Sequence, residues 1–176
     1  DGMRSYLAVA GGIDVPLALG SRSTYARFRL GGLAGRALAS GDRLPVFPRG
    51  PVPRVALRQL PSEDIPTYGN SHGLRVLLGP QDDAFTERGI EDFLSSTYTV
   101  TSASARMGSR LDGPMIEHRR SANIVSDGTP FGAVQITGDG MPTVLLADRG
   151  TTGGYTKIAT VISVDLAGMA QARADD

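Results

Sequence analysis

Short apolar runs cut by glycine and proline, with no sustained helical period, dominate this sequence. The 23 glycines and 11 prolines make up about a fifth of the 176 residues. Between them lie runs rich in Val, Ile, Leu and Thr, the pattern of many short strands joined by tight turns. The reading is a mostly β domain with strands expected over 6–10, 53–60, 74–78, 98–101, 132–137, 143–147 and 158–164. Val144-Leu-Leu-Ala and Ile158-Ala-Thr-Val-Ile are nearly continuous, which predicts strands covered on both faces. The segment 55–60 partly alternates and is expected nearer an edge. Helices are expected to be few. Asp82-Asp-Ala-Phe-Thr-Glu has an acid-rich start, Gly89 is expected to interrupt any single helix there, and 165–172 is expected to form a terminal helical turn. Four prolines and a glycine within residues 45–53 read as a linker between two lobes.

Composition removes several functions. Eighteen basic and eighteen acidic residues cancel, without runs of like charge, so neither nucleic acid nor an anionic membrane is an expected partner. No apolar stretch approaches the roughly 20 residues of a membrane-spanning helix, and the expected location is the cytoplasm. The chain has no cysteine and only His72 and His118, which excludes thiolate chemistry and disulfides and leaves no expected metal site. Carboxylates, Lys, Arg, Tyr, hydroxyls and backbone amides remain.

Three polar clusters stand out. Gly11-Gly-Ile-Asp, Leu19-Gly-Ser-Arg-Ser-Thr and Gly31-Gly-Leu-Ala-Gly-Arg either form tight turns or converge amides on an anion, with Arg22 and Ser23 as its clamp. Arg106 and Arg110 flank a Met-Gly turn, and either share one anionic ligand or lie on a solvated loop. The third, Ala147-Asp-Arg-Gly-Thr-Thr-Gly-Gly-Tyr-Thr-Lys, joins two buried-looking strands. It is either a surface hairpin with an Asp148 ion pair or a binding loop held by rigid strands.

Several long segments, in order, resemble the family called allophanate hydrolase subunit 2. They are GGIDVPLALGSRST, GGLAGRALASGDRL, LRVLLGPQDDAFTE, FLSSTYTVTSASARMGSRLDGP and IVSDGTPFGAVQITGDGMPTVLLADRGTTGGYTKIATVISVDL. That family includes the C subunit of ATP-dependent 5-oxoprolinase, the KipI antagonist of sporulating bacteria and the carboxyltransferase region of urea carboxylase. The resemblance implies a cyclophilin-like β-barrel with a few short helices, in a single region 1–176 cut from the C-terminal part of a longer subunit. It implies a hydrolase subunit that opens 5-oxoproline to glutamate with ATP and is inactive alone. Its implied partners are the A and B subunits, the second of them like allophanate hydrolase subunit 1.

On that view Asp148 is the base or water-positioning group, and Arg22 and Lys157 bind anionic oxygens. The substrate is further held by Ser23, Arg106, Arg110, Gln135, Arg149, Thr151, Thr152, the amides of Gly153 and Gly154, and Tyr155. The alternatives are carboxyl transfer with biotin as cofactor, and a non-catalytic subunit that binds a KipI-like regulator.

Overall fold

The computed structural model describes residues 3–48 and 59–176. Two compact units result. The larger runs from Pro66 to Asp176 and includes Met3 and Arg4; the smaller is Ser5–Ile65.

The larger unit is built on strand β8, Lys157–Val161, whose residues are buried except for the half-buried Thr160. A strand with so little polar surface needs neighbours on both edges and cover on both faces. Antiparallel partners are β1 (Val76–Leu78), which sets Leu78 opposite Ala159, and β5 (Ala133–Ile136), which sets Val134 opposite Ala159. Beyond β5 come β6 (Pro142–Leu145), β3 (Gly108–Asp112) and β2 (Thr99–Val100), giving a six-stranded antiparallel sheet ordered β1-β8-β5-β6-β3-β2. A separate two-stranded ribbon pairs β4 (Asn123–Gly128) with β7 (Thr152–Tyr155).

Two helices accompany these sheets. Helix α1, Glu87–Ser95, starts at Thr86, whose Oγ1 accepts the Gly89 N–H at 2.9 Å, the usual N-cap arrangement. Helix α2, Leu166–Gln171, turns Leu166 and Met169 into a core that contains Phe85, Ile116, Val134, Ile136, Val144, Ile158 and Val161. No helix among the described residues is long and apolar enough to cross a membrane.

The mostly β reading and the strands near 74–78, 98–101, 132–137, 143–147 and 158–164 hold, as does the terminal helix. The ladders do not close into a barrel: among the described residues β1 and β2 remain the two outer strands of the sheet. Residues 6–10 form no strand, and Tyr6 and Leu7 are exposed because no ladder covers them. Most of the expected strand 53–60, and residues 49–53 of the proline-rich stretch, lie outside the described residues. Gly89 does not interrupt α1. It is buried inside the helix, and a Cβ there would stand 2.6 Å from the Glu117 carbonyl oxygen, so the missing side chain lets the helix approach that backbone.

The smaller unit has isolated bridges, such as Ile13 with Val46 and Tyr25 with Leu30, and Val15 is the buried hydrophobic residue among its described residues. Its glycine cluster is explained locally. Gly31 has φ +69°, and a Cβ on it would lie 2.2 Å from the Ser23 carbonyl oxygen; the turn therefore requires glycine.

Asp165, just before α2, fastens this helix to the start of β1. Its carboxylate accepts the Arg75 amide at 2.8 Å and the Arg75 guanidinium at 2.7 and 3.0 Å. The guanidinium bond first, then the amide, holds its pKa down to about 2. A carboxylate depressed on folding stabilises the protein above its unfolded pKa of about 3.9, and that contribution disappears as pH falls through the folded value. Asp165→Asn is therefore expected to lower the melting temperature by a few degrees at pH 7, with the difference from the parent vanishing between pH 4 and 2 in thermal scans.

Candidate functional site

Lys157 is the only lysine in a chain with 17 arginines, and it is 1% exposed. Its burial follows from its place as the first residue of β8, opposite Gln135 of β5 at a register shift in the ladder. Its ammonium lies 3.2 Å from Asp127 Oδ2, a carboxylate that is itself 53% exposed. Among the described residues this ion pair is the contact the buried Nζ makes, and no well-aligned hydrogen bond reaches it. An ammonium carries three N–H donors, and a buried polar group left unsatisfied calls for a reason.

The carboxylate is fixed from several sides. Asp127 Oδ1 accepts its neighbouring Gly128 N–H at 2.6 Å, and Oδ2 accepts the Gln81 side-chain amide at 3.3 Å. The Gly128 bond first, and then the Lys157 ammonium, holds the Asp127 carboxyl below the usual carboxylate range. Gln81 also reaches β8 itself, its Oε1 accepting the Lys157 backbone N–H at 3.2 Å. Next to this group, Gln135 is buried and its Nε2 reaches the Tyr155 carbonyl at 3.5 Å. Gly153 sits against it: a Cβ there would be 2.6 Å from Gln135 Nε2 and 3.0 Å from the Thr129 methyl.

The stretch between β6 and β8 is not one open loop. Its second half is strand β7, with Thr152 opposite Gly128, Gly153 opposite Asp127 and Tyr155 opposite Asn123. The Gly153 and Gly154 backbones therefore belong to a strand. The first half is tied down through Thr129, which donates its N–H to the Thr151 carbonyl at 3.0 Å and its hydroxyl to the Gly150 carbonyl at 2.5 Å. Arg149 donates to the Thr129 carbonyl at 2.8 Å and lies over the Phe131 ring.

The structure thus brings Lys157, Gln135 and Gly153 together, with Tyr155 bonded to Gln135 through its carbonyl and Arg149 and Thr151 both bonded to Thr129. Asp148 does not pair with Lys157; it forms an ion pair with Arg106 at 2.9 Å. Arg110 pairs with Asp139 across the β3–β6 side of the sheet. Arg22 and Ser23 belong to the smaller unit, where the Arg22 guanidinium lies 4.8 Å from the Phe47 ring centre. The sequence reading missed Asp127 and Gln81. The lone lysine was the available signal, because it marks the one basic position at which arginine is not used.

His118 has a defined place, bridging to Phe85. Its Nε2 lies 3.0 Å from the buried Thr156 hydroxyl, its ring packs on Phe85, and burial pushes its pKa down.

Comparison with known proteins settles the family. The model of the carboxyltransferase domain, subdomain A and B, matches residues 1–176. The chain belongs to this family. It is 41% identical over 172 residues to the C subunit of 5-oxoprolinase from Escherichia coli, covering 97% of this chain and 53% of that protein. Against the C subunit of 5-oxoprolinase from Haemophilus influenzae it is 36% identical, covering 98% and 53%. The crystal structure of the Kluyveromyces lactis urea carboxylase superimposes with a TM-score of 0.80 at 32% identity, covering 94% of this chain and 16% of that one. The resemblance read from the sequence therefore stands. The chain spans about half the length of the 5-oxoprolinase subunits it matches.

Removing a buried charge whose partner is half in water relieves desolvation and leaves no buried orphan. Lys157→Met is therefore expected to melt at or above the parent temperature. A drop of more than about 3 kcal/mol in unfolding free energy, at the lower end of what breaking a fully buried pair costs, would instead make Lys157 a structural ion-pair partner.

Proposed function

We propose that this chain is a single carboxyltransferase-type region of a longer 5-oxoprolinase C subunit, and that the Lys157 ammonium holds the oxygen that gains negative charge during opening of the lactam. The observation that carries this reading is the buried Nζ, which has an ion pair with Asp127 but no well-aligned hydrogen bond among the described residues. Donors fixed before the reaction, in a place where water does not compete, stabilise developing charge far more than they do in bulk solvent.

The relatives named as C subunits of 5-oxoprolinase supply the reaction class. A lactam is a poor electrophile, and ATP supplies the phosphoryl group that makes its amide oxygen a leaving group. The residues here fit an oxygen of that kind, carbonyl or phosphoryl, through the Lys157 donors. Asp148 is the base or water-positioning group, held by Arg106. Thr151, Thr152 and Tyr155 line the approach along β7, Gln135 orients the substrate amide, and Arg149 braces the Thr129 backbone. Relatives that are named as subunits support partner chains, which we take to be the A and B subunits of one cytoplasmic complex. Closure of the sheet into a cyclophilin-like barrel is the fold this reading expects of the longer protein.

A second reading rests on the superposition with urea carboxylase. There the ammonium would hold the ureido oxygen of biotin, whose bound ring carries a carboxyl group for transfer, and the same residues would orient it. Transfer of labelled carboxylate from biotin by the full-length protein, with no glutamate formed from 5-oxoproline, would select this reading.

The test is reconstitution of the full-length subunit with its partners and measurement of ATP-dependent glutamate release from 5-oxoproline. Lys157→Ala is expected to lower the rate by about 10²–10³-fold, the cost of removing one oxyanion donor. An unchanged rate would remove Lys157 from the site.

A further inference from the structure

Asp127 is placed where a group acting on Lys157 has to be. It lies on β4, opposite Gly153 of β7, with Oδ2 3.2 Å from the Lys157 ammonium. Two donors, the Gly128 N–H and the Gln81 amide, hold its two oxygens, and the ammonium charge stands beside them. Gln81 spans the carboxylate and the Lys157 backbone N–H, so one side chain fixes both ends of the pair.

We propose that Asp127 is a positioning residue, with Gln81 as its brace, that anchors the Lys157 ammonium so that its unspent N–H donors face the substrate oxygen. This rests on the oxyanion-holding role of Lys157 proposed above and extends it to two residues outside the glycine-rich stretch.

Two observations separate positioning from proton transfer. An acid–base group works best with a pKa near the working pH, whereas the Asp127 carboxyl is held low by the Gly128 bond and the ammonium. Its oxygens are also already committed to Gly128 and Gln81. A lysine, for its part, ends a flexible four-carbon stem and loses side-chain entropy when held in one geometry. A fixed charge at its tip supplies that restraint, and an off-line contact does so without spending all three donors.

The experiment uses the full-length subunit in its complex and combines kinetics with nuclear magnetic resonance. In the ATP-dependent assay with 5-oxoproline, Asp127→Asn is expected to lower kcat about 10–100-fold with KM changed less than threefold, and Asp127→Glu to recover part of the loss. Because Asp127 acts through Lys157, the double variant Asp127→Asn/Lys157→Ala is expected to be no slower than Lys157→Ala alone. A double variant slower by the full Asp127→Asn factor would show an independent role and overturn the proposal. Equal kinetics for Asp127→Asn and the parent would do the same.

Independently of activity, the 1H–15N signal of the Lys157 ammonium, identified by its loss in Lys157→Arg, is expected to be protected from exchange in the parent. It is expected to broaden away in Asp127→Asn and to weaken in Gln81→Ala. A signal unchanged in Asp127→Asn, with the fold intact by melting, overturns the proposal. If the parent complex releases no glutamate, the 5-oxoprolinase reading falls and the ammonium signal alone decides the anchoring.

Discussion

Strand β8 is buried along nearly all its length and yet begins with a charged residue. The two facts constrain each other. Ile158, Ala159 and Val161 need apolar cover from β1, β5 and the core residues beneath them. That cover removes water from the side chain at position 157 as well. Leaving an ammonium there without compensation costs several kcal/mol, so a carboxylate has to come within reach. The ribbon of β4 and β7 brings it, because the register that places Asp127 opposite Gly153 also sets that carboxylate beside the ammonium.

The same register explains the small residue at 153. With Gln135 opposite Lys157 and its amide packed below β7, any side chain on Gly153 would push Gln135 out of its place. Thr129 completes the arrangement from the other end, receiving Arg149 and holding the carbonyl groups of Gly150 and Thr151. The polar stretch is thus fixed at both ends, a condition for aiming a donor before a ligand arrives.

What could be read from residue order was governed by polarity. Strands β5, β6 and β8 are apolar enough to announce themselves, and α2 followed from its short apolar pattern. Strands β3, β4 and β7 carry Gly-Ser-Arg, Ser-Asp-Gly and Thr-Gly-Gly-Tyr, compositions that read as turns. They become strands because a neighbouring ladder satisfies their backbones, and no local signal reports that. Ion-pair partners are hidden for the same reason. Asp148 is near Lys157 in sequence, but β7 runs between them and the cross-strand neighbour Asp127 is the one in contact. Gly89 shows the converse: a residue that disfavours helices by propensity is kept in α1 by close contact with the Glu117 backbone.

The choice of lysine at position 157 carries the last step. Elsewhere this chain answers every need for a positive charge with arginine, including the pairs with Asp42, Asp139, Asp148 and Asp165. Arginine suits those places, because its planar fork matches a carboxylate. At the head of β8 a fork would saturate Asp127 with two aligned bonds and turn a donor site into a closed ion pair. The ammonium is smaller, rotates about its terminal bond and touches the carboxylate without aligning on it. It can pair with Asp127 while still offering donors to something else. Gln81, Asp127, Thr129, Gln135, Gly153 and Lys157 all lie in the larger unit. Arg22 and its glycine-rich turn have a local explanation in Phe47 and the Gly31 contact, whereas folding alone gives the buried ammonium of Lys157 no aligned hydrogen bond among the described residues.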